Sequence, residues 1–247
     1  MTSATPGLLI SDADGVRTLT LDRADRRNAL DTALTAALLQ ALTDADGDSS
    51  VGAVVLAANG QVFCAGADVR EFKDRPDPQA EMRRGELMLQ LQLAMDEIEA
   101  PLVCALGASA FGAGASIAIA ADLTVMGEGA SLVWPETVHG MVPGSVVAQL
   151  QKRCSRKLAF ELLALGERIG AADALRAGLV NRVVADAEVN TAAAQMARTL
   201  AARNREVMRG AKHVFNSIAS LPLREALRAG RDAARTRQAR AAATTTH

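Results

Sequence analysis

The sequence predicts an α/β domain, on three observations. An alternating stretch at 15–22, a helix-periodic stretch and the apolar run VGAVVLAA at 51–58 follow one another. That strand–helix–strand order reads as a right-handed crossover. A second continuous apolar run, LVCAL at 102–106, again follows a helical stretch, as expected of another buried strand. Finally, 247 residues with 49% apolar and 22% charged side chains are ample for one core and exclude a disordered chain.

The elements can be justified in order. In GVRTLTLD (15–22), Val16, Thr18 and Thr20 alternate with Leu19 and Leu21, the pattern of a half-buried strand. Asp31 is placed to cap a helix whose Leu34, Leu38, Ala41 and Leu42 share one face. KDRPDPQ at 73–79 reads as a polar loop, followed by a helix over 80–99 with Met88, Leu91, Met95 and Ile98 inward and Pro101 beyond its end. Residues 102–121 carry no charge over 20 positions, long enough to span a bilayer. Gly107, Gly112 and Gly114 interrupt the run and Glu99 and Asp122 flank it, so a buried strand, a turn and a buried helix is the reading, with no membrane span. LTVM (123–126) and SLVW (131–134) are short apolar runs. Pro143 and Gly144 precede a helix to about 153, and another covers 155–165. Gly178 reads as a helix C-cap before the strand LVNRVV at 179–184. From about 186 the pattern is helical, so the expected division is a core at 1–185 and a helical region at 186–247. The final AAATTTH reads as disordered.

Composition narrows the function. There are 51 alanines but only 2% aromatic residues, with five Phe, one Trp and no Tyr. Such a chain lacks the rings for single-stranded nucleic-acid stacking, and its net charge of −1 implies no polyanion partner. Residues 220–247 hold six Arg and two acids, a local +4 that either meets phosphates or is a solvated helix face. Cys64, Cys104 and Cys154 are odd in number and widely spaced. They argue against a disulfide framework or a cysteine metal site and fit a reducing compartment. MTSATPGLLISDADG has no basic or long apolar segment and does not read as a signal peptide, so a cytoplasmic location is expected.

Three motifs carry candidate chemistry. Cys64-Ala65-Gly66-Ala67-Asp68 follows a strand, and its small residues let a ligand approach free backbone N–H groups. The same residues also suit an ordinary strand-to-helix turn capped by Asp68. Gly112-Ala113-Gly114-Ala115-Ser116 is a partial dinucleotide fingerprint, but Ile117 stands where the third glycine belongs and the motif sits too far into the chain to open a nucleotide fold. It remains a glycine turn opening a buried helix with free N–H groups. In Trp134-Pro135-Glu136-Thr137-Val138-His139-Gly140, Glu136 follows a strand and a proline. If buried it exchanges protons near neutral pH; if solvated it is a plain loop residue, and His139 reads as structural or surface.

The order of these motifs resembles the crotonase, or enoyl-CoA hydratase/isomerase, family from about Gly15 to Val184. The landmarks are Asn28-Ala29-Leu30, the turns at 64–68 and 111–116, Asp122, Pro135-Glu136, Gly140 and Pro143-Gly144. The resemblance implies a spiral of ββα units with a C-terminal helical region that covers the CoA pocket and assembles a homotrimer or a dimer of trimers. It implies an acyl-CoA substrate, coenzyme A being part of that substrate, with no further cofactor and no metal. Backbone N–H groups of Ala67 and Ala113 would hold the thioester oxyanion, where preorganised donors are worth roughly 3–4 kcal/mol each. Ala65, Gly66, Ala67, Asp68, Val69, Arg70, Gly112 and Ala113 would line the CoA path, and Arg26 and Arg27 either meet its phosphates or are solvated.

The informative departure is at 116. Typical hydratases of the family carry Glu at the positions of both 116 and 136; here the first is Ser116. A serine without an activator is no base at neutral pH. Glu136 alone suffices for a proton shuttle, as in the family's Δ3,Δ2-enoyl-CoA isomerases, with Ser116 orienting water or substrate. Some hydratase-like lyases acting on aromatic acyl-CoAs also carry Ser there, but they rely on tyrosines and this chain has none. The expected activity is thus an isomerase, with a hydratase or lyase, or a non-catalytic acyl-CoA binder, as alternatives.

Overall fold

The computed structural model describes residues 3–73 and 77–244. Strands β1 (Ser3–Thr5), β2 (Leu8–Ala13) and β3 (Val16–Leu21) form an antiparallel meander. Asp14 and Gly15, both at positive φ, make the tight turn before β3. Helix α1 (Thr32–Gly47) starts where expected, with Asp31 accepting from the Leu34 N–H at 2.8 Å, and returns the chain to β4 (Ala53–Ala58), parallel to β3. The short α2 (Arg70–Lys73) precedes α3 (Pro78–Glu97). Helix α3 starts two residues earlier than the sequence predicts, because Pro78 fits the first helical position and Asp77 caps it. Part of the expected loop, 74–76, lies outside the described residues.

Strand β5 (Leu102–Leu106), the short β6 (Ala110–Phe111), helix α4 (Ala113–Ala120) and β7 (Leu123–Gly127) fill the uncharged stretch and its sequel. Among the described residues no helix is long and apolar enough to cross a membrane. Then come β8 (Ser131–Val133), α5 (Gly144–Arg153), α6 (Arg156–Leu165), β9 (Ile169–Gly170), α7 (Ala171–Arg176) and β10 (Arg182–Val184). The last strand is shorter than LVNRVV because the Asn181 side chain, not a strand neighbour, takes the Thr124 N–H. Helices α8 (Val189–Ala201), α9 (Arg205–Ser217) and α10 (Leu223–Thr244) finish the described chain. Residues 241–244, expected to be disordered, continue α10, and 245–247 lie outside the described residues.

The main sheet is seven-stranded, in the order β1-β2-β3-β4-β5-β7-β10, and parallel from β3 onward. A small sheet, β6-β8-β9, stands apart and carries the site. Strand alternation divides the main sheet's faces. Leu19, Leu21, Val54, Leu56, Leu102, Cys104, Leu106 and Met126 join one cluster with α1, α3 and α4. Val16, Ala53, Val55, Ala57, Val103, Ala105 and Val125 face Val189, Ala193 and Ala197 of α8. The alanines belong to this close approach: a Cβ placed on Gly52 would fall 2.9 Å from the Ala201 backbone. Helix α8 therefore packs on the sheet, whereas α9 and α10 form an arm held by charge. There Lys212 meets Asp122 at 2.6 Å, Arg209 meets Asp46 at 3.0 Å and Glu99 at 3.4 Å, and Arg237 also pairs with Glu99.

Candidate active site

The first turn is held by the segment before α1. Asn28 is fully buried; its amide donates to the Asn59 and Val62 carbonyls at 2.8 and 2.9 Å and accepts from the Arg23 N–H at 2.8 Å. The Ala65 N–H reaches the Arg27 carbonyl at 3.0 Å. Leu30 then forms an isolated parallel bridge with Ala67, donating to the Gly66 carbonyl at 2.8 Å and accepting from the Asp68 N–H at 2.9 Å. In a parallel bridge the central residue's own N–H points away from its partner. Ala67 is such a residue; it is exposed, and its N–H has no acceptor among the described residues.

The second turn is the start of α4. Gly112, at φ +53, is its N-cap and Ala113 its first residue, so the Ala113 N–H has no intrahelical acceptor. The two turns are in contact. Phe111 donates to the Cys64 carbonyl at 2.9 Å. A Cβ on Gly66 would sit 3.5 Å from the Ala113 nitrogen and 2.9 Å from the Phe111 oxygen, and one on Gly114 would collide with Cys64 at 2.6 Å. Small residues at 66 and 114 are therefore a steric requirement of bringing these turns together. Cys64 is enclosed there, and burial pushes its thiol up to about 12, so it is no nucleophile.

Glu136 leaves the end of β8. Its loop is closed by the His139 and Met141 N–H groups, which donate to its carbonyl at 3.1 and 2.9 Å, and the Thr137 hydroxyl ties it to the Leu163 carbonyl at 2.6 Å. The carboxylate lies on the second turn: a Cβ on Gly112 would be 2.6 Å from Glu136 Oε1. Glu136 Oε2 is buried and has no hydrogen-bond partner among the described residues. Burial raises the Glu136 pKa above its ordinary value, only partly opposed by its own backbone N–H and by His139. The structure thus brings together two unpaired N–H groups and one carboxyl group poised to hold or release a proton.

The other expected residues are placed differently. Ser116 is fully buried, and its hydroxyl accepts from Trp134 Nε1 at 3.1 Å. The Asp68 carboxylate faces Arg23 at 3.4 Å and accepts from the Arg70 N–H at 3.2 Å. Val69 and Arg70 are exposed beside it, and Ala65 is half-buried. Arg26 and Arg27 are exposed; Arg26 pairs with Asp25 at 3.3 Å, and Arg27 occupies a left-handed turn. Trp134 and Arg23 received no role from sequence reasoning. The chain's sole Trp, set two residues before a candidate Glu, was the available signal for the first.

An enoyl-CoA hydratase/isomerase family model matches residues 11–243. The chain belongs to that family. Members similar to it include the 2,3-dehydroadipyl-CoA hydratase of Escherichia coli, 32% identical over 221 residues that cover 89% of this chain and 86% of that protein. The mitochondrial enoyl-CoA hydratase of Pongo abelii is 31% identical over 206 residues, 83% of this chain and 70% of the relative. Among solved structures, the enoyl-CoA hydratase of Mycobacterium smegmatis matches with a TM-score of 0.88 at 32% identity, over 93% of this chain and 90% of that one. This crotonase-superfamily member has the family's α/β fold with its C-terminal helical region.

Proposed function

We propose that the protein is an acyl-CoA enzyme that moves a proton with one carboxylate, as a Δ3,Δ2-enoyl-CoA isomerase does. The observation that carries this reading is the contrast between positions 116 and 136. Glu136 keeps a buried oxygen without a partner among the described residues, whereas Ser116 offers no carboxylate and its hydroxyl accepts from the Trp134 indole. In the proposed reaction the Glu136 carboxylate removes a proton from C2 of a 3-enoyl-CoA. The C2–H electron pair moves into the thioester, whose oxygen takes the negative charge and accepts from the Ala67 and Ala113 N–H groups. As the enolate collapses, the C3–C4 double bond shifts to C2–C3 and Glu136 returns its proton to C4. One proton is moved and no electrons are lost. The raised pKa of Glu136 suits both halves, since a shuttle must hold the proton between steps.

A second reading, hydration of a 2-enoyl-CoA, is favoured by the names of the relatives, which are hydratases. It would require Glu136 alone to activate water and protonate C2. Parallel assays of 3-enoyl-CoA isomerisation and trans-2-enoyl-CoA hydration, with Glu136→Gln beside the native protein, decide between them. Isomerisation abolished by Glu136→Gln supports the single-carboxylate scheme. Efficient hydration that survives Glu136→Gln overturns it, and binding of CoA thioesters with no turnover of either substrate identifies a non-catalytic binder.

A further inference from the structure

Trp134 and Glu136 flank Pro135 between β8 and the hydrogen-bonded turn that opens at Pro135 and Glu136. The indole meets Ser116 in the first turn of α4, and the carboxylate meets Gly112, the N-cap of that helix. The segment therefore touches the start of α4 at two points, one on either side of Pro135. On its other side it is pinned to the end of α6. A Cβ on Gly166 would touch the Pro135 Cα at 3.4 Å and the Trp134 carbonyl at 3.5 Å, and Thr137 holds the Leu163 carbonyl. That packing fixes the distance from α6. Two directional contacts tie it to α4: the Gly112 N–H donates to the Val133 carbonyl at 2.8 Å, and Trp134 Nε1 donates to Ser116 Oγ at 3.1 Å between two fully buried side chains.

We propose that Trp134 is a positioning residue: its indole N–H, held by Ser116 Oγ, sets where the Glu136 carboxylate sits over Gly112 and beside the Ala113 N–H. This rests on Glu136 being the acid/base of the reaction. Removing the hydrogen bond leaves the segment held at Val133 and against α6, and lets the Trp134–Glu136 stretch pivot between those two anchors. A misplacement of about 1 Å at a reacting group costs on the order of a hundredfold in rate.

The chain's only tryptophan is the probe. Its emission is followed against pH in the native protein, in Ser116→Ala and in Glu136→Gln, with kcat and KM for 3-enoyl-CoA and thermal unfolding measured alongside. His139 is the ionisable side chain that acts on Glu136, and Glu136→Gln removes the carboxylate's part alone. The native emission is expected to titrate above the ordinary carboxylate range, and Glu136→Gln to abolish the transition. In Ser116→Ala the transition is expected to move toward the ordinary value, with kcat down about 10- to 100-fold and KM within about twofold. Trp134→Phe should lose the same kcat, and the double variant no more, because both remove one contact. An unchanged transition and kcat in Ser116→Ala, with only a lowered melting temperature, overturns the proposal, as does a transition that survives Glu136→Gln. If the native protein turns over no 3-enoyl-CoA, the functional reading falls and the emission titration alone decides the positioning.

Discussion

The two turns that meet at the candidate site are built in opposite ways. The turn at 64–68 is held from outside, by the Asn28 amide, the Leu30 bridge and Arg23. The turn at 112–116 is held by the helix it opens, with Gly112 as cap and nearly every side chain buried. Each has a carboxylate nearby, and their surroundings separate them. Asp68 has partners, the Arg23 guanidinium at 3.4 Å and the Arg70 N–H at 3.2 Å. Glu136 lies over a glycine with one oxygen unpartnered, and burial favours its protonated form. A partnered carboxylate makes an anchor; an unpartnered one in a dry place makes a proton carrier.

If that contrast is right, Glu136→Gln should have the largest effect. It keeps the shape and removes the proton, so isomerisation should fall about 10²- to 10⁴-fold with the fold retained. Gly112→Ala comes next. Its Cβ would fall 2.6 Å from Glu136 Oε1, the movable end of a side chain, so the carboxylate shifts and the rate falls about a hundredfold. Gly66→Ala should do the reverse. At φ +89 its Cβ would fall 2.9 Å from the Phe111 carbonyl, which cannot move aside, so unfolding in urea should show a loss of about 1–3 kcal/mol. Alanine at 112 is strained too, at φ +53, so the two are separated by rate: if Gly66→Ala loses as much activity as Gly112→Ala, the distinction between a movable and a fixed neighbour fails. Asp68→Asn weakens a partly solvated pair and should lower stability by about 1 kcal/mol, read as a drop in melting temperature.

The pH dependence is the mildest test and has two signs. In the proposed reaction Glu136 acts as a carboxylate, so kcat/KM should fall as pH drops through a value above the ordinary carboxylate range. For stability, a raised folded pKa means that protonated Glu136 favours the fold below its unfolded pKa, a contribution lost as pH rises through the folded value. Glu99 works the other way. Arg237, and then Arg209, hold it below its ordinary value, so its contribution exists above the unfolded pKa and is lost as pH falls through the folded one. This pair is partly exposed and worth less than about 1 kcal/mol, so acid should loosen the α9–α10 arm slightly before it unfolds the sheet. Hydrogen exchange in that arm against pH is the measurement.

Much of the fold was legible because its causes are local. Asp31 caps α1 through its own next turn, and the alternation of Leu19 and Leu21 is the alternation of a sheet face. The β2–β3 hairpin went unread although Asp14-Gly15 is a strong turn signal, because the flanking strands are polar at their ends. The end of the chain was misread because alanine-rich sequence without caps looks disordered, yet alanine is the best helix former. At the site, the order of the motifs pointed to the two turns and to Glu136. Nothing in their spacing showed that Ser116 holds an indole or that Asp68 faces Arg23, since both partners are distant along the chain.

The order of residues is enough to set the strand and helix periods, the caps and the small residues at 66 and 114. These are properties of neighbours along the chain, set by backbone geometry and residue size. Which carboxylate is paired and which is stranded follows from packing instead. That choice depends on solvent exclusion by atoms from β8, α4 and α6 together, and a dry environment is a property of packing, which no local stretch of chain can specify.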